Sequence, residues 1–232
     1  MGREDLFKSC PTPLSDALAF VATPAASAAM LELAEHPGPL REGATWWLFN
    51  RASNEWTGHG LSEALRQRGI YDPSAVTLQT ALAPAGTGPR MAIGDVTALE
   101  GDAARGAESW TRCTMCHALG GVGADVGPSL DGWAHGKSLD VIAMAIVEPD
   151  AGIAHGYGAT RIETREGVII EGLVLQEGDP LMIRSLGGLT QMVPAARVGS
   201  RSRMKRSLMP PATTLGLSPQ EVADLIAFLR TR

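Results

Sequence analysis

The stretch Cys113-Thr114-Met115-Cys116-His117 decides how the rest of this sequence is interpreted. Its two thiols are separated by two residues, which places them about one turn apart on a helical backbone. An imidazole follows immediately. The chain has 3 cysteines in all, and the third, Cys10, lies far upstream and is assigned no role. The stretch therefore offers one local set of two thiols and one imidazole.

Covalent haem attachment accounts best for this set of side chains. Two thiols at this spacing can add to the vinyl groups on one edge of a haem, and the histidine that follows then lies under the iron. A structural zinc site takes four ligands, usually from two such pairs, and the sequence has no second C-x-x-C. A thioredoxin-like redox pair expects a surrounding βαβ pattern, which is absent. We expect one haem held by Cys113, Cys116 and His117; the remaining alternative is a coincidental buried pair.

Three further strings surround this motif. Gly101-Asp102-Ala103-Ala104-Arg105-Gly106 precedes it, and Gly127-Pro128-Ser129-Leu130 and Ser207-Leu208-Met209-Pro210-Pro211 follow it. Together they resemble class I cytochromes c from about residue 100 to the end of the chain. The resemblance implies that the small Gly106 lets the last helix cross closely. It also implies that Trp110 packs on that helix, at Leu225 or Phe228.

The same resemblance implies how the haem is held. The Pro128 carbonyl accepts the Nδ1 proton of His117, which leaves Nε2 for iron. Met209 becomes the second axial ligand, and a thioether there raises the reduction potential. Trp133 packs on the haem or bonds a propionate, with an ordinary core tryptophan as the alternative. The other candidates for the second ligand are Met204, Met192 and His155.

Helical patterns separated by breakers characterise residues 1–73. We predict helices from Pro24 to Glu35 and from Pro39 to Asn50, and a short helix around Leu61. The helix, Pro-containing turn and second helix resemble a HEAT-type repeat. Residues 74–95 are rich in proline and glycine with little periodicity, which predicts a linker.

The segment 96–232 is expected to form the cytochrome domain, with a β insertion at about 156–203. Four or five short strands separated by tight turns predict a small SH3-like or Sm-like barrel there. The predicted fold class is therefore mainly α with a β insertion. It is a class I cytochrome c fold that is interrupted by a small β-barrel and preceded by helical-repeat-like helices.

Two helices of this segment have clear end signals. Ser138 predicts an N-cap for a helix that runs to Val147. Its expected buried side consists of Val141, Ile142, Ala145 and Ile146. For the last helix, Ser218 and Glu221 form a capping box.

The distance between the two proposed ligands gives a closer resemblance. His117 and Met209 stand 92 positions apart, and the strand-rich block accounts for that length. With Ala154-His155-Gly156-Tyr157, this arrangement resembles the C-terminal haem-binding domain of large exported proteins that also carry a β-propeller dehydrogenase-like region. The resemblance implies an electron-transfer cytochrome that is not itself an enzyme and that relays electrons from a dehydrogenase domain or partner. The alternatives are a peroxidase-like haem enzyme or gas sensor with an open sixth position, and an interaction scaffold.

Covalent haem also implies a periplasmic or otherwise exported location. The Ala-rich residues 17–34 resemble an export signal superficially. Asp16 at their start, Pro24 within them and the acidic segment before them argue against that interpretation. We therefore expect the export signal upstream of this chain.

Charge narrows the possible partners. The formal net charge of −5 argues against nucleic-acid binding, which normally needs a basic excess. Residues 156–206 are nevertheless basic, with 8 Lys and Arg against 5 Asp and Glu. Five cations near the end of this block form either a solvated surface or a docking patch for an acidic redox partner. They are Arg197, Arg201, Arg203, Lys205 and Arg206, and both interpretations predict exposure.

Two expectations concern the remaining features. His36, His59 and His135 stand alone and are expected to be surface residues. No stretch approaches the roughly 20 apolar residues of a transmembrane helix.

Overall fold

The computed structural model describes residues 16–86, 90–124 and 126–232, which form two compact units. The first unit contains the described residues up to Thr77, together with Gln176–Met182 and Met192–Ala196. The second contains the described residues of Leu78–Leu175, Ile183–Gln191 and Arg197–Arg232. The boundary after Thr77 falls inside the segment that the sequence predicts as a linker.

The helices of the first unit are α1 (Pro24–Glu35), α2 (Leu40–Ala52) and α3 (Leu61–Gln67). Their prediction is confirmed, because the predicted limits of α1 and α2 differ from these by two residues at most and α3 begins at Leu61. Thr23 caps α1 by accepting a hydrogen bond from the backbone of Ala26. Helices α1 and α2 pack against each other. Behind them Trp56 is fully buried.

The helices of the second unit are α4 (Ile93–Thr97), α5 (Ala103–Ser109), α6 (Leu139–Val147) and α7 (Pro219–Leu229). A 3₁₀ turn, Trp110–Arg112, extends α5 toward the cysteine motif. The predicted cap at Ser138 and the capping box of Ser218 and Glu221 are both confirmed. Local signals were sufficient to locate these helix starts.

The predicted buried face of α6 is partly wrong. Val141 is 43% exposed, whereas Ala143 and Val147 are buried beside Ile142 and Ile146. The helix is apolar nearly all round (LDVIAMAIV), so periodicity does not select one face. Packing against α4 and α7 makes that selection.

The predicted strands form one five-stranded sheet. They are β1 (Thr160–Thr164), β2 (Ile169–Gln176), β3 (Leu181–Arg184), β4 (Thr190–Val193) and β5 (Val198–Arg203). Their order is β4-β3-β2-β1-β5. The sheet is not closed, because β4 and β5 stand at opposite edges. The coarse prediction of a mixed chain with a strand-rich insertion is confirmed.

Helices α5 and α7 cross with almost no space between their backbones. A Cβ built on Gly106 would lie 2.0 Å from the Asp224 carbonyl oxygen and 2.8 Å from the Cβ of Phe228. Trp110 packs on the same helix, with its ring centroid 6.4 Å from that of Phe228. The close crossing and the aromatic contact that the resemblance implies are therefore present.

A buried carboxylate ties the two helices together. Asp224 is 2% exposed and accepts hydrogen bonds from Arg105 Nε at 2.7 Å, the Asp102 backbone at 2.8 Å and Gln220 Nε2 at 2.9 Å. The hydrogen bonds from Arg105 are the main reason that the pKa of Asp224 falls to about 2.

Gly106→Ala is expected to lower the free energy of unfolding by about 2 kcal/mol or more, because the new methyl meets backbone that cannot give way. Gly94→Ala is the matched control, since a Cβ there has nothing within 4 Å. Urea unfolding of both variants checks this. Equal stability of the two variants would contradict the close crossing.

Asp224→Asn is expected to lower the free energy of unfolding by about 2 kcal/mol near neutral pH, because Arg105 loses a charge-assisted partner. The folded pKa of about 2 lies below the ordinary 3.8. The stabilisation is therefore complete above the ordinary pKa and is lost as the pH falls through about 2.

Urea unfolding across this pH range should accordingly show the wild type and Asp224→Asn converging in acid. Glu108→Gln, which changes an exposed carboxylate on α5, should stay within about 0.5 kcal/mol of the wild type throughout. A constant difference between wild type and Asp224→Asn at all pH values would refute the linkage.

Candidate functional site

A mostly apolar cavity of about 260 Å³ lies inside the second unit. The side chains of Cys113, Cys116 and His117 line part of its wall, and Met209 also lines it. The sequence places these groups up to 96 positions apart. The fold therefore gathers two thiols, one imidazole and one thioether around a single apolar space.

The cysteine motif continues the helical turn that ends α5. The backbone N–H groups of Cys116 and His117 both donate to the Cys113 carbonyl, at 3.0 and 2.9 Å. The thiols consequently stand one turn apart, as their spacing predicts. Both are half-buried and free.

Burial controls the protonation of these three groups. It raises the pKa of Cys113 to about 11, with the nearby Cys116 as a second cause, and it raises the pKa of Cys116 too. It lowers the pKa of His117, although the hydrogen bond to Pro128 opposes this. Near neutral pH the site therefore holds two thiols and a neutral imidazole, the form in which histidine binds metals.

One hydrogen bond fixes the orientation of the His117 ring. Its Nδ1 lies 2.7 Å from the Pro128 carbonyl oxygen. Because a carbonyl only accepts, Nδ1 must carry the proton, and Nε2 keeps its lone pair. His117 is 9% exposed, so the ring is also shielded from water. The contact that the resemblance implied for Pro128 is present.

Gly127 allows the loop to pass across this ring. A Cβ at Gly127 would lie 2.6 Å from Cε1 and 2.8 Å from Nδ1 of His117. Sequence reasoning quoted this glycine but gave it no role. Its position directly before Pro128, the expected partner of His117, could have indicated that it lies beside the ring.

Met209 alone among the four candidates for the second ligand lines the cavity. It is half-buried, and its backbone N–H donates to Ser207 Oγ at 3.0 Å. Met204 packs instead into a small apolar cluster. Met192 belongs to the first unit, and His155 is exposed.

Trp133 lines the cavity and also packs against the helical core. The Lys137 ammonium lies 4.8 Å from the centre of its ring and donates to its backbone carbonyl. Trp133 is therefore both a core side chain and part of the cavity wall, and its contact with a haem stays a prediction.

The strand-rich insertion also contributes to the wall, which sequence reasoning missed. Tyr157, Leu173 and Leu186 line the cavity from β2 and from the segments that flank β1 and β3. The apolar residues of β2 were a signal for burial. Nothing local indicated that their neighbour is this cavity.

The prediction that the five clustered cations are exposed is wrong for two of them. Arg197 pairs with Glu166 at 3.0 Å and Arg206 pairs with Glu171 at 2.7 Å, and both are half-buried. Their partners come from a different strand or turn of the insertion, which a local charge count does not show. Arg201, Arg203 and Lys205 are exposed.

Two of the three lone histidines are surface residues as predicted. His36 and His135 are exposed. The prediction is wrong for His59, which is half-buried, stacks near Trp56 and lies 3.0 Å from Ser27 Oγ. The remaining cysteine, Cys10, lies outside the described residues.

Within the described part of the chain, no three His, Cys, Asp or Glu side chains gather as a site for a metal ion. Every helix in that part is too short or too polar to cross a bilayer. No protein-family model matches the chain, and no curated protein matches it.

Gly127→Ala is expected to lower the free energy of unfolding by about 2 kcal/mol, because its methyl displaces the His117 ring from Pro128. The same substitution in a His117→Ala background should cost less than about 0.5 kcal/mol, because the clash is gone. Urea unfolding of the four proteins in this double-mutant cycle gives the coupling. A coupling energy near zero would mean that the His117 ring does not need the space that Gly127 leaves open.

Proposed function

We propose that this chain is an electron-transfer c-type cytochrome with one covalent haem, attached through Cys113 and Cys116. His117 and Met209 are the proposed axial ligands. The observation that carries the proposal is that both cysteines, His117 and Met209 line one apolar cavity, with the hydrogen bond to Pro128 leaving the lone pair of Nε2 unused. Haem iron, when bound there, accepts and releases single electrons.

The residues of the cavity fit such a group. Its mainly apolar lining suits a flat macrocycle and excludes water. The hydrogen bond from His117 to Pro128 fixes the tautomer and makes Nε2 a stronger donor to a metal. Gly127 keeps the space beside the ring free of side chain. A thioether ligand from Met209 would raise the reduction potential of such an iron and so favour its reduced form.

The finer fold assignment is part of the same proposal. The close crossing of α5 and α7, with the motif after the first helix and the methionine loop before the last, supports a class I cytochrome c fold. We propose that the sheet is an SH3-like or Sm-like insertion, and that the helical segment containing α1 to α3 is HEAT-like.

The wider context follows from the resemblance. We propose that the chain is not itself an enzyme, that it is periplasmic or otherwise exported, and that it relays electrons from a dehydrogenase domain or partner. We propose that the exposed members of the five-cation cluster, Arg201, Arg203 and Lys205, form a docking patch for an acidic redox partner.

Optical spectra of the haem-loaded protein test the proposal, oxidised and reduced, with and without carbon monoxide. The wild type should be low-spin, should ignore carbon monoxide and should titrate as a one-electron couple. Met209→Ala should bind carbon monoxide stoichiometrically, because the sixth position opens. Met192→Ala is the matched control and should behave as wild type, since Met192 belongs to the first unit and does not line the cavity.

Attachment has its own measurement. Intact mass should show one haem on the wild type, and none should remain covalently bound after Cys113→Ser with Cys116→Ser. A wild type that is high-spin or that binds carbon monoxide readily would refute the closed site and favour the sensor or peroxidase-like alternative. A wild type with no covalent haem would refute the cytochrome itself.

A further inference from the structure

The ion pair between Glu171 of β2 and Arg206 joins the inserted sheet to the methionine loop, defined here as residues 206–211. We propose that this pair is a positioning device: the sheet holds the loop so that the Met209 thioether faces the cavity. The inference rests on the proposed function, because it assigns Glu171 and Arg206 to the geometry of the second axial ligand.

Arg206 begins the loop three residues before Met209 and is attached at several points. Its Nη2 donates to Glu171 Oε2 at 2.7 Å and to the Ala83 carbonyl at 3.0 Å. Its Nη1 reaches the Pro84 carbonyl at 3.3 Å. One guanidinium thus clamps the loop to β2 and to residues 83–84.

Glu171 of β2 binds this guanidinium with a buried carboxylate. Its side chain is 6% exposed, so the carboxylate needs partners for nearly all of its acceptor sites. Oε1 accepts from Arg161 at 2.8 Å, and Oε2 accepts from Arg206 and from the Ala83 backbone at 2.9 Å. A neutral amide of the same shape would turn two hydrogens toward donors, so at least one of these bonds must be lost.

Contacts on both sides of Met209 complete the attachment. Leu208 is buried in a cluster with Ala159 and with Leu173 of β2, which also lines the cavity. The Ser207 backbone donates to Asp150 Oδ1 at 2.7 Å. On the far side, a Cβ on Gly86 would lie 2.7 Å from Cγ of Pro211. The loop is therefore held against the sheet and against residues 83–86 on both sides of Met209.

The consequence of removing Glu171 follows from exposure. Arg206 is 30% exposed and can turn its charge into water once the carboxylate is gone. The loop then loses its strongest link to the sheet, and conformations in which Met209 leaves the iron become more populated. Carbon monoxide reports that population, because it binds reduced iron only while the methionine is away.

The experiment measures the rate of carbon monoxide binding to the reduced, haem-loaded full chain. Glu171→Gln and Arg206→Gln should each raise that rate about tenfold or more, since a charge-assisted hydrogen bond is lost. They should also lower the reduction potential. Glu166→Gln is the matched control, because it removes another Glu–Arg pair of the insertion, with Arg197, that does not involve the loop. Urea unfolding defines conditions in which every variant is fully folded.

The possible results distinguish a failure of the positioning role from a failure of the proposed cytochrome function. Faster binding in both loop variants, with Glu166→Gln and wild type alike, supports the inference. If Met209→Ala opens the site while both loop variants match wild type, the positioning role is overturned and the cytochrome stands. If Met209→Ala itself changes nothing, the ligand assignment and the inference both fail. If Glu166→Gln accelerates binding as much as Glu171→Gln, the effect is general loosening and the positioning role is overturned.

Discussion

The contact of α5 with α7 at Gly106 is the constraint on which the rest of the second unit depends. Helix α5 and the 3₁₀ turn after it lead into the cysteine motif, and residues 212–218 connect the methionine loop to α7. Crossing the two helices at backbone distance therefore brings together segments 92 positions apart. Asp224 reinforces the crossing, because its buried carboxylate accepts hydrogen bonds from the Arg105 side chain and from the Asp102 backbone at the start of α5. A larger residue at Gly106 would separate both halves of the cavity at once.

The sheet gives the chain a second way to control the same cavity. In this protein the long segment between motif and methionine is not a tether, because it forms cavity wall at Tyr157, Leu173 and Leu186. Its Glu171 also forms an ion pair with Arg206 of the methionine loop. Residues 79–83, predicted only as part of a linker, add to this support, since Ala81 bridges Ile170 and Gln79 exchanges two hydrogen bonds with Gln191. The insertion and this segment together set how freely Met209 can move.

The sequence was informative wherever the deciding signal is local. Helix starts at Ser138 and Ser218 were predictable because a cap and its partner lie within three residues. The helical turn at Cys113 was also predictable, because the two cysteines that define it are separated by only two residues. The errors share the opposite cause. The outward face of Val141, the half-burial of His59 and the pairing of Arg206 depend on residues distant in sequence. The open sheet was likewise not predictable, because strand count does not determine whether the outer strands meet.

The pairing of Arg206 changes how the remaining cations are to be understood. Arg201 and Arg203 stand two residues apart on β5. This strand lies at an edge of the sheet and is exposed from Gly199 onward. Charged side chains on an exposed edge discourage pairing with a strand of another molecule. Edge protection is therefore a sufficient explanation of these two arginines, and it needs no docking role. Lys205 lies beyond the end of β5 and is not explained in this way. Among the exposed cations of the cluster, a docking role consequently depends most on Lys205, which stands next to the clamp that holds the methionine loop.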